Sequence, residues 1–484
     1  MRIPSDTNSG STKGRKSRHN TQKTFQVIKW IFILLTFALI GWSVKIVVLD
    51  KPVYESRAAN PIFEVKEEQV IRGSILDTVG RVVAYSVFDS EDNSDLRKYP
   101  YGASLAHVVG YTGRGDSALE AELAFALLTP SSPGDQVAAW VTEERAEGNS
   151  VQITIDAELQ QFIYELFGEY RGAVVITDPS TGAVKALVSA PSFDPEAIVD
   201  DWELIAERED SPLFARATQG LYPPGSTFKI ITSLTMYRSL PEFRSYTYSC
   251  NDYYSVDEQQ IYCYGGGTHG DLDLANAFAE SCNGYFASAG ALMGMDAFQS
   301  SADLLHIGDD FGFILPQSTS SLGFDTYESD SMIAQSAIGQ GKVLMTPFNL
   351  NMITCAIANG GVLYQPYLLD KVLTPSGKTV TETVPRLYAS LMNEEEAAFL
   401  QELMEDVVTY GTASALYSDR YTVYGKTGTS QVEGQADNSW FTGFVKTVDK
   451  GELVITVLVE NGGLEKRAVP IVAEILRYLY SPEY

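Results

Sequence analysis

The chain has 484 residues, 45% of them hydrophobic and 11% aromatic, enough for two or three folded units with apolar cores. Its 62 acidic against 35 basic side chains give a formal net charge of −27. A body this acidic repels nucleic acid and anionic lipid headgroups, which argues against both as partners.

The charge is unevenly placed. Before residue 30 stand Arg2, Lys13, Arg15, Lys16, Arg18, Lys23 and Lys29 against the single acid Asp6. Residues 1–29 are expected to form a basic, disordered cytoplasmic tail. The run W-I-F-I-L-L-T-F-A-L-I-G-W-S-V-K-I-V-V-L, residues 30–49, is close to the ~20 apolar residues that cross a bilayer. Lys45 lies near its far end, where its stem can reach the interface. Basic residues on its N-terminal side predict a single-pass anchor in the cell membrane, with the N-terminus cytoplasmic and the body extracytoplasmic. V-V-L-D-K-P offers no small-residue cleavage site, so a retained anchor is expected rather than a cleaved signal peptide.

Residues 50–150 read as a first exported domain, with short strand-like runs such as Q-V-I-R-G-S-I-L-D and G-R-V-V-A-Y-S-V. It ends in T-E-E-R-A-E-G-N-S, whose charge and glycine mark a linker. Residues 151–484 open with V-Q-I-T-I-D and a helix over 157–167. The run A-V-V-I-T-D-P-S-T-G-A-V-K-A-L-V-S is two β-rich arms around a turn signal. Near the end, W-F-T-G-F-V-K-T and L-V-I-T-V-L-V-E form a second antiparallel pair, followed by a helix over 469–480. Strand pairs at both ends with helices between predict one antiparallel sheet closed by distant segments, an α/β (α+β) fold.

Chemistry enters at Y-P-P-G-S-T-F-K, residues 222–229. Pro224 and Gly225 end a loop, and an apolar helix follows, with Ser226 at its start and Lys229 one turn on. A serine hydroxyl becomes a nucleophile when a base takes its proton, and a lysine serves if burial lowers its pKa. The plain alternative is a helix cap beside a solvated lysine, but the helix is apolar on all faces, which predicts burial. Two further motifs follow: S-C-N at Ser281–Asn283, and K-T-G-T at Lys426–Thr429. S-x-x-K, S-x-N and K-T-G in that order are the signature of penicillin-binding proteins and serine β-lactamases.

The chain resembles a class B penicillin-binding protein, a monofunctional, membrane-anchored peptidoglycan D,D-transpeptidase. R-G-S-I-L-D (72–77) and R-K-Y-P-Y-G-A-S-L-A-H-V-V-G-Y (97–111) resemble the family's N-terminal pedestal. D-P-S-T-G-A-V-K-A-L-V-S-A-P-S-F-D-P (178–195), A-I-G-Q-G, T-P, A-N-G-G and K-T-G-T-S resemble its transpeptidase domain. The resemblance implies a penicillin-binding/β-lactamase-like domain with a central antiparallel sheet flanked by helices over 151–484, a small pedestal over 50–150 and one transmembrane helix.

It also implies roles. Ser226 is acylated by a stem peptide ending in D-Ala-D-Ala, with Lys229 as base, Ser281 relaying a proton and Asn283 holding the substrate amide. Lys426 supplies charge, and Thr427 and Thr429, flanking Gly428, bind the terminal carboxylate. The N–H groups of Ser226 and Thr429 form the oxyanion hole. β-Lactams would be covalent inhibitors, and a membrane-embedded SEDS-type glycan polymerase a partner, since no glycosyltransferase region is seen. A D,D-carboxypeptidase and a β-lactam sensor or scaffold on the same fold are the competing readings. A class A β-lactamase is disfavoured by the lack of E-x-x-L-N, and a Ser-His-Asp hydrolase by the lack of G-x-S-x-G.

No cofactor is needed for this chemistry. Three of the four cysteines, with one histidine, nevertheless follow C-x12-C-x5-H-x12-C: Cys250, Cys263, His269 and Cys282. Three thiolates and an imidazole suit a closed structural zinc site, and some class B relatives resemble this in placing metal ligands around the same loop. A Cys250–Cys263 disulfide and free thiols remain open beside it. Cys355, in an apolar run, reads as core.

Overall fold

The computed structural model describes residues 26–39, 70–89, 94–130, 145–432, 434–447, 451–463 and 467–480. It divides into two compact units, residues 1–61 and 62–484. Of the first unit a helix over 26–39 is described. Among the described residues no helix is long and apolar enough to cross a membrane. Most of the expected tail, and residues 40–49 of the expected anchor, lie outside the described residues.

In the second unit, α1 (Ala157–Phe167) precedes the hairpin of β1 (Arg171–Thr177) and β2 (Val184–Ala190). Asp156 caps α1 by accepting from the N–H groups of Glu158 and Leu159. Helix α2 (Lys229–Ser239) follows, then a small hairpin of β3 (Tyr253–Val256) and β4 (Gln259–Tyr262). After it come α3 (Leu274–Ala279), α4 (Asn283–Met293), α5 (Pro347–Ala358) and α6 (Glu394–Thr409). The chain ends with β5 (Thr422–Ser430), β6 (Asn438–Lys446), β7 (Glu452–Glu460) and α7 (Ala468–Tyr480).

The central sheet has the order β5-β6-β7-β1-β2, antiparallel throughout. Its closure joins the end of the chain to its early part: Val457 pairs with Val174 and Leu458 with Ala173. This is the expected sheet with one strand more: β5, the edge strand, which carries K-T-G.

All twelve residues of α5 are buried, as its all-round apolarity requires. Two of its polar side chains bond the sheet. Asn351 takes the Thr177 hydroxyl at 2.7 Å, and the Thr354 hydroxyl meets that of Thr442 at 2.8 Å. Helices α1 and α7 also pack on this sheet, with Phe162 stacked on Tyr478.

A second sheet of six strands has the order Thr379–Glu382, Leu369–Leu373, Ser150–Ile153, Ile75–Leu76, Val82–Asp89, Ser94–Lys98. Ser150–Ile153, at the expected domain boundary, pairs in parallel with Ile75–Leu76 and antiparallel with Leu369–Leu373.

Candidate active site

Three chain segments converge on one cleft. The first is a 3-10 turn, Gly225–Phe228, that runs directly into α2. Ser226 is half-buried in this turn, while the N-cap position of α2 falls to Phe228, so the serine is not a helix cap. Lys229 opens α2 and is fully buried, as is the helix through Met236. Its Nζ donates to Ser281 O at 2.7 Å, to Ser281 Oγ at 3.2 Å and to Asn283 Oδ1 at 2.7 Å. Burial pulls its pKa down to about 7, against the upward pull of neighbouring Cys282 and Cys263.

The second segment is the S-C-N turn between α3 and α4. Cys282 N donates to Ala277 O and Ser281 N to Phe278 O, the double bond pattern of a Schellman motif. Ser281 therefore occupies the left-handed position usually given to glycine, with φ of 60°. That conformation disfavours an L-residue by roughly 1–2 kcal/mol, and here it turns both the Ser281 carbonyl and hydroxyl toward Lys229. Cys282 caps α4, its Sγ accepting from Tyr285 N at 3.4 Å. Asn283 spans the gap to the β3–β4 hairpin, donating from Nδ2 to Tyr262 O at 2.9 Å.

The third segment is β5. Lys426 pairs in register with Thr442, so both side chains leave the sheet on the α5 face. Lys426 is fully buried, donates to Thr427 O at 3.2 Å and lies 5.5 Å from the Phe278 ring. Burial, and then the charge of Lys229, push its pKa well below the usual ammonium range. The expected cation is therefore held where a bound anion would restore its charge. Glycines let these segments touch. A Cβ on Gly225 would lie 2.4 Å from Thr429 O, and one on Gly339, in A-I-G-Q-G, 2.0 Å from Gly225 O.

The cleft holds about 600 Å³ and is lined by Ser226, Ser281, Asn283, Thr427, Gly428 and Thr429, with Lys229 and Lys426 buried beside it. Every residue of the three motifs thus meets at one place. Tyr222 does not line it: its hydroxyl donates to Glu460 Oε1 at 2.5 Å and its ring packs edge-on against Trp440. Trp440 is buried and donates its indole N–H to Pro223 O, steadying the loop before Ser226. The β3–β4 hairpin and Thr412 also line the cleft, and neither carries a motif that would have announced it.

The four metal-ligand candidates are also together. Cys250 Sγ lies 3.6 Å from Cys263 Sγ and 3.3 Å from His269 Nδ1, and Cys263 Sγ lies 3.8 Å from Cys282 Sγ. Zinc–sulfur bonds of about 2.3 Å at tetrahedral angles place sulfurs roughly 3.8 Å apart, so the donor set fits that ion. The separations exceed the ~2.05 Å of a disulfide, and all four cysteines are free. The Cys282 thiol, and backbone N–H groups of Gly284 and Asn283, draw the Cys263 pKa down to about 5 against its burial. Cys355 is buried elsewhere, against Asn351.

A nucleophile candidate beside a buried lysine of lowered pKa, on a mixed α/β scaffold, defines a serine-type acyl transferase. Comparison with known proteins narrows the class. The family model described as penicillin binding protein transpeptidase domain matches residues 172–481. The peptidoglycan D,D-transpeptidase PbpA of Mycolicibacterium smegmatis is 30% identical over 412 residues, covering 79% of this chain and 83% of its own. Its counterpart in Mycobacterium tuberculosis is 29% identical over 408 residues, covering 79% and 82%. The imipenem acyl-enzyme of penicillin-binding protein A from M. tuberculosis superposes with a TM-score of 0.77 at 27% identity, covering 85% of this chain and 99% of that one. The chain belongs to the penicillin-binding protein transpeptidase family.

Proposed function

We propose that this protein is a peptidoglycan D,D-transpeptidase working through an acyl-enzyme on Ser226. The observation that carries the reading is the shared hydrogen bonding of Lys229 with Ser281 and Asn283, one turn from Ser226. A lysine with a pKa of about 7 is substantially neutral at physiological pH and can accept the Ser226 proton. The Ser226 Oγ then bonds the penultimate D-Ala carbonyl carbon, with the oxyanion received by the N–H groups of Ser226 and Thr429. As the C–N bond breaks, Ser281 passes a proton to the departing D-Ala amine. An acceptor amine on a second stem peptide attacks the ester, loses its proton to the same relay and leaves Ser226 free. Thr427 and Thr429, over Lys426, hold the donor's terminal carboxylate before the first step. β-Lactams present a strained amide to the same serine and remain as an ester.

The test is labelling of the full-length protein by a fluorescent penicillin, with Ser226→Ala as control. Labelling of wild type alone supports the assignment; equal labelling of both overturns it.

Three further readings belong to the same proposal. Cys250, Cys263, His269 and Cys282 hold a structural zinc ion, supported by the fit of their spacing. Zinc bound there would brace the S-C-N turn and contribute no step of acyl transfer. The apolar run over 30–49 and the basic residues before it support a single-pass membrane anchor with the catalytic domain outside. Residues 50–150 form an N-terminal pedestal, and a membrane-embedded SEDS-type glycan polymerase is a partner of the protein, both readings supported by resemblance to class B proteins.

A further inference from the structure

Thr412 follows the end of α6, and its Oγ1 lies 2.6 Å from Thr427 Oγ1. Among the described residues no other side chain bonds the Thr427 hydroxyl. The Thr412 N–H donates to Ala279 O, the last residue of α3, whose Schellman motif sets Ser281. A Cβ on the preceding Gly411 would lie 2.4 Å from Ala279 O, so a glycine is required for the chain to pass this close. Thr412 therefore joins the S-C-N turn to the K-T-G strand. It is exposed and lines the cleft, so burial of its methyl group does not account for its place.

We propose that Thr412 is a positioning residue that orients the Thr427 hydroxyl toward an anionic ligand. The inference rests on the transpeptidase reading. A hydroxyl carries one proton, and a carboxylate is an acceptor only. If Thr427 spends its proton on Thr412, it turns a lone pair to the carboxylate and repels it. If Thr412 donates instead, the Thr427 proton is free for the ligand. Their 2.6 Å separation allows both directions. An anion selects the second, giving a chain from Thr412 through Thr427 to the carboxylate in which each bond polarises the next. Lys426 is buried below and bonded to the Thr427 carbonyl, so it contributes charge from beneath. Direction at the cleft surface comes from the two hydroxyls.

The test uses the full-length protein and the concentration dependence of acylation by penicillin G, which separates the pre-covalent dissociation constant K from the acylation rate constant k2. Penicillin G methyl ester serves as a neutral probe. For Thr412→Val we expect K for penicillin G to rise by about fivefold to tenfold, the scale of one hydrogen bond. The rate constant k2, the melting temperature and the behaviour toward the ester stay unchanged, and Thr412→Ser restores K. The proposal is overturned by a wild-type K in Thr412→Val, or by equal changes for acid and ester, as a displaced loop would give. Failure of Thr412→Ser to restore K also overturns it. Absence of any Ser226-dependent label on the wild type instead strikes the transpeptidase reading itself.

Discussion

Asn283 stands between Lys229 and Tyr262: its Oδ1 accepts from the lysine at 2.7 Å while its Nδ2 donates to the Tyr262 carbonyl at 2.9 Å. One amide thus ties Lys229 to the hairpin that leads into Cys263. Asn283→Ala removes both bonds. A hydrogen bond to a charged group contributes about 1.5–3 kcal/mol, so penicillin acylation should fall by roughly tenfold to a hundredfold. Asn283→Asp places a carboxylate beside Lys229, favours the charged lysine and should move the pH profile upward. An unchanged profile in the Asp variant would show that this side chain does not govern the base.

The pH dependence itself has a definite sign. The Lys229 pKa is lowered to about 7, so below that pH the lysine holds its proton and cannot accept one from Ser226. The second-order rate of labelling should rise from about pH 5 and level off by about pH 9, as expected for a general base of this pKa. A midpoint near the ordinary lysine range would contradict the role given to burial.

Ser281 separates stability from activity. It sits at φ of 60° in a position glycine fills without strain. Ser281→Gly should keep or raise thermal stability, by about 1–2 kcal/mol at most, while peptide transfer falls on the order of a hundredfold for want of a proton relay. Ser281→Ala should lose activity alike but keep the strain. Melting curves and turnover of a D-Ala-D-Ala peptide, measured on both variants, distinguish the two effects.

The metal proposal is decided by composition. Purified protein should carry one zinc ion per chain by elemental analysis, with no disulfide by thiol counting. Removal by a strong chelator should lower the melting temperature, since ligands that form only in the fold couple metal binding to stability. Cys282→Ser should lower zinc content and weaken acylation together, because Cys282 is both donor candidate and the cap of α4. A metal-free protein with Cys250 and Cys263 linked would end the proposal.

What could be read in advance follows from how far each signal reaches along the chain. Ser226 and Lys229 lie one turn apart, so their relation was local, and the apolar helix after them forecast the burial of Lys229. The β-hairpin at D-P-S-T-G announced itself through alternation and turn residues. Strand β5 did not, because Gly425, Lys426 and Gly428 break the apolar alternation that marks a strand. Those glycines answer to contacts remote in sequence: a Cβ on Gly425 would meet the Phe441 ring, and one on Gly428 would meet Pro224 O and Thr227. The metal-ligand quartet was half legible. Its residue types pointed to zinc, but their meeting depends on the pairing of Cys250 with Gly270, which brings His269 alongside. Thr412 carried no local signal at all, since its partner is set by the packing of α6 against β5.

The strand Ser150–Ile153 has its neighbours on either side drawn from opposite ends of the chain. A shortened protein beginning just after it would strip Leu369–Leu373 of a partner and leave that strand's backbone groups facing water. Exposed edges of this kind recruit other strands, so such a truncation should self-associate even with the catalytic cleft intact. The same shared strand gives a mechanical path: a pull on Ile75–Leu76 would reach Leu369–Leu373, in the body that carries Ser226, through backbone hydrogen bonds.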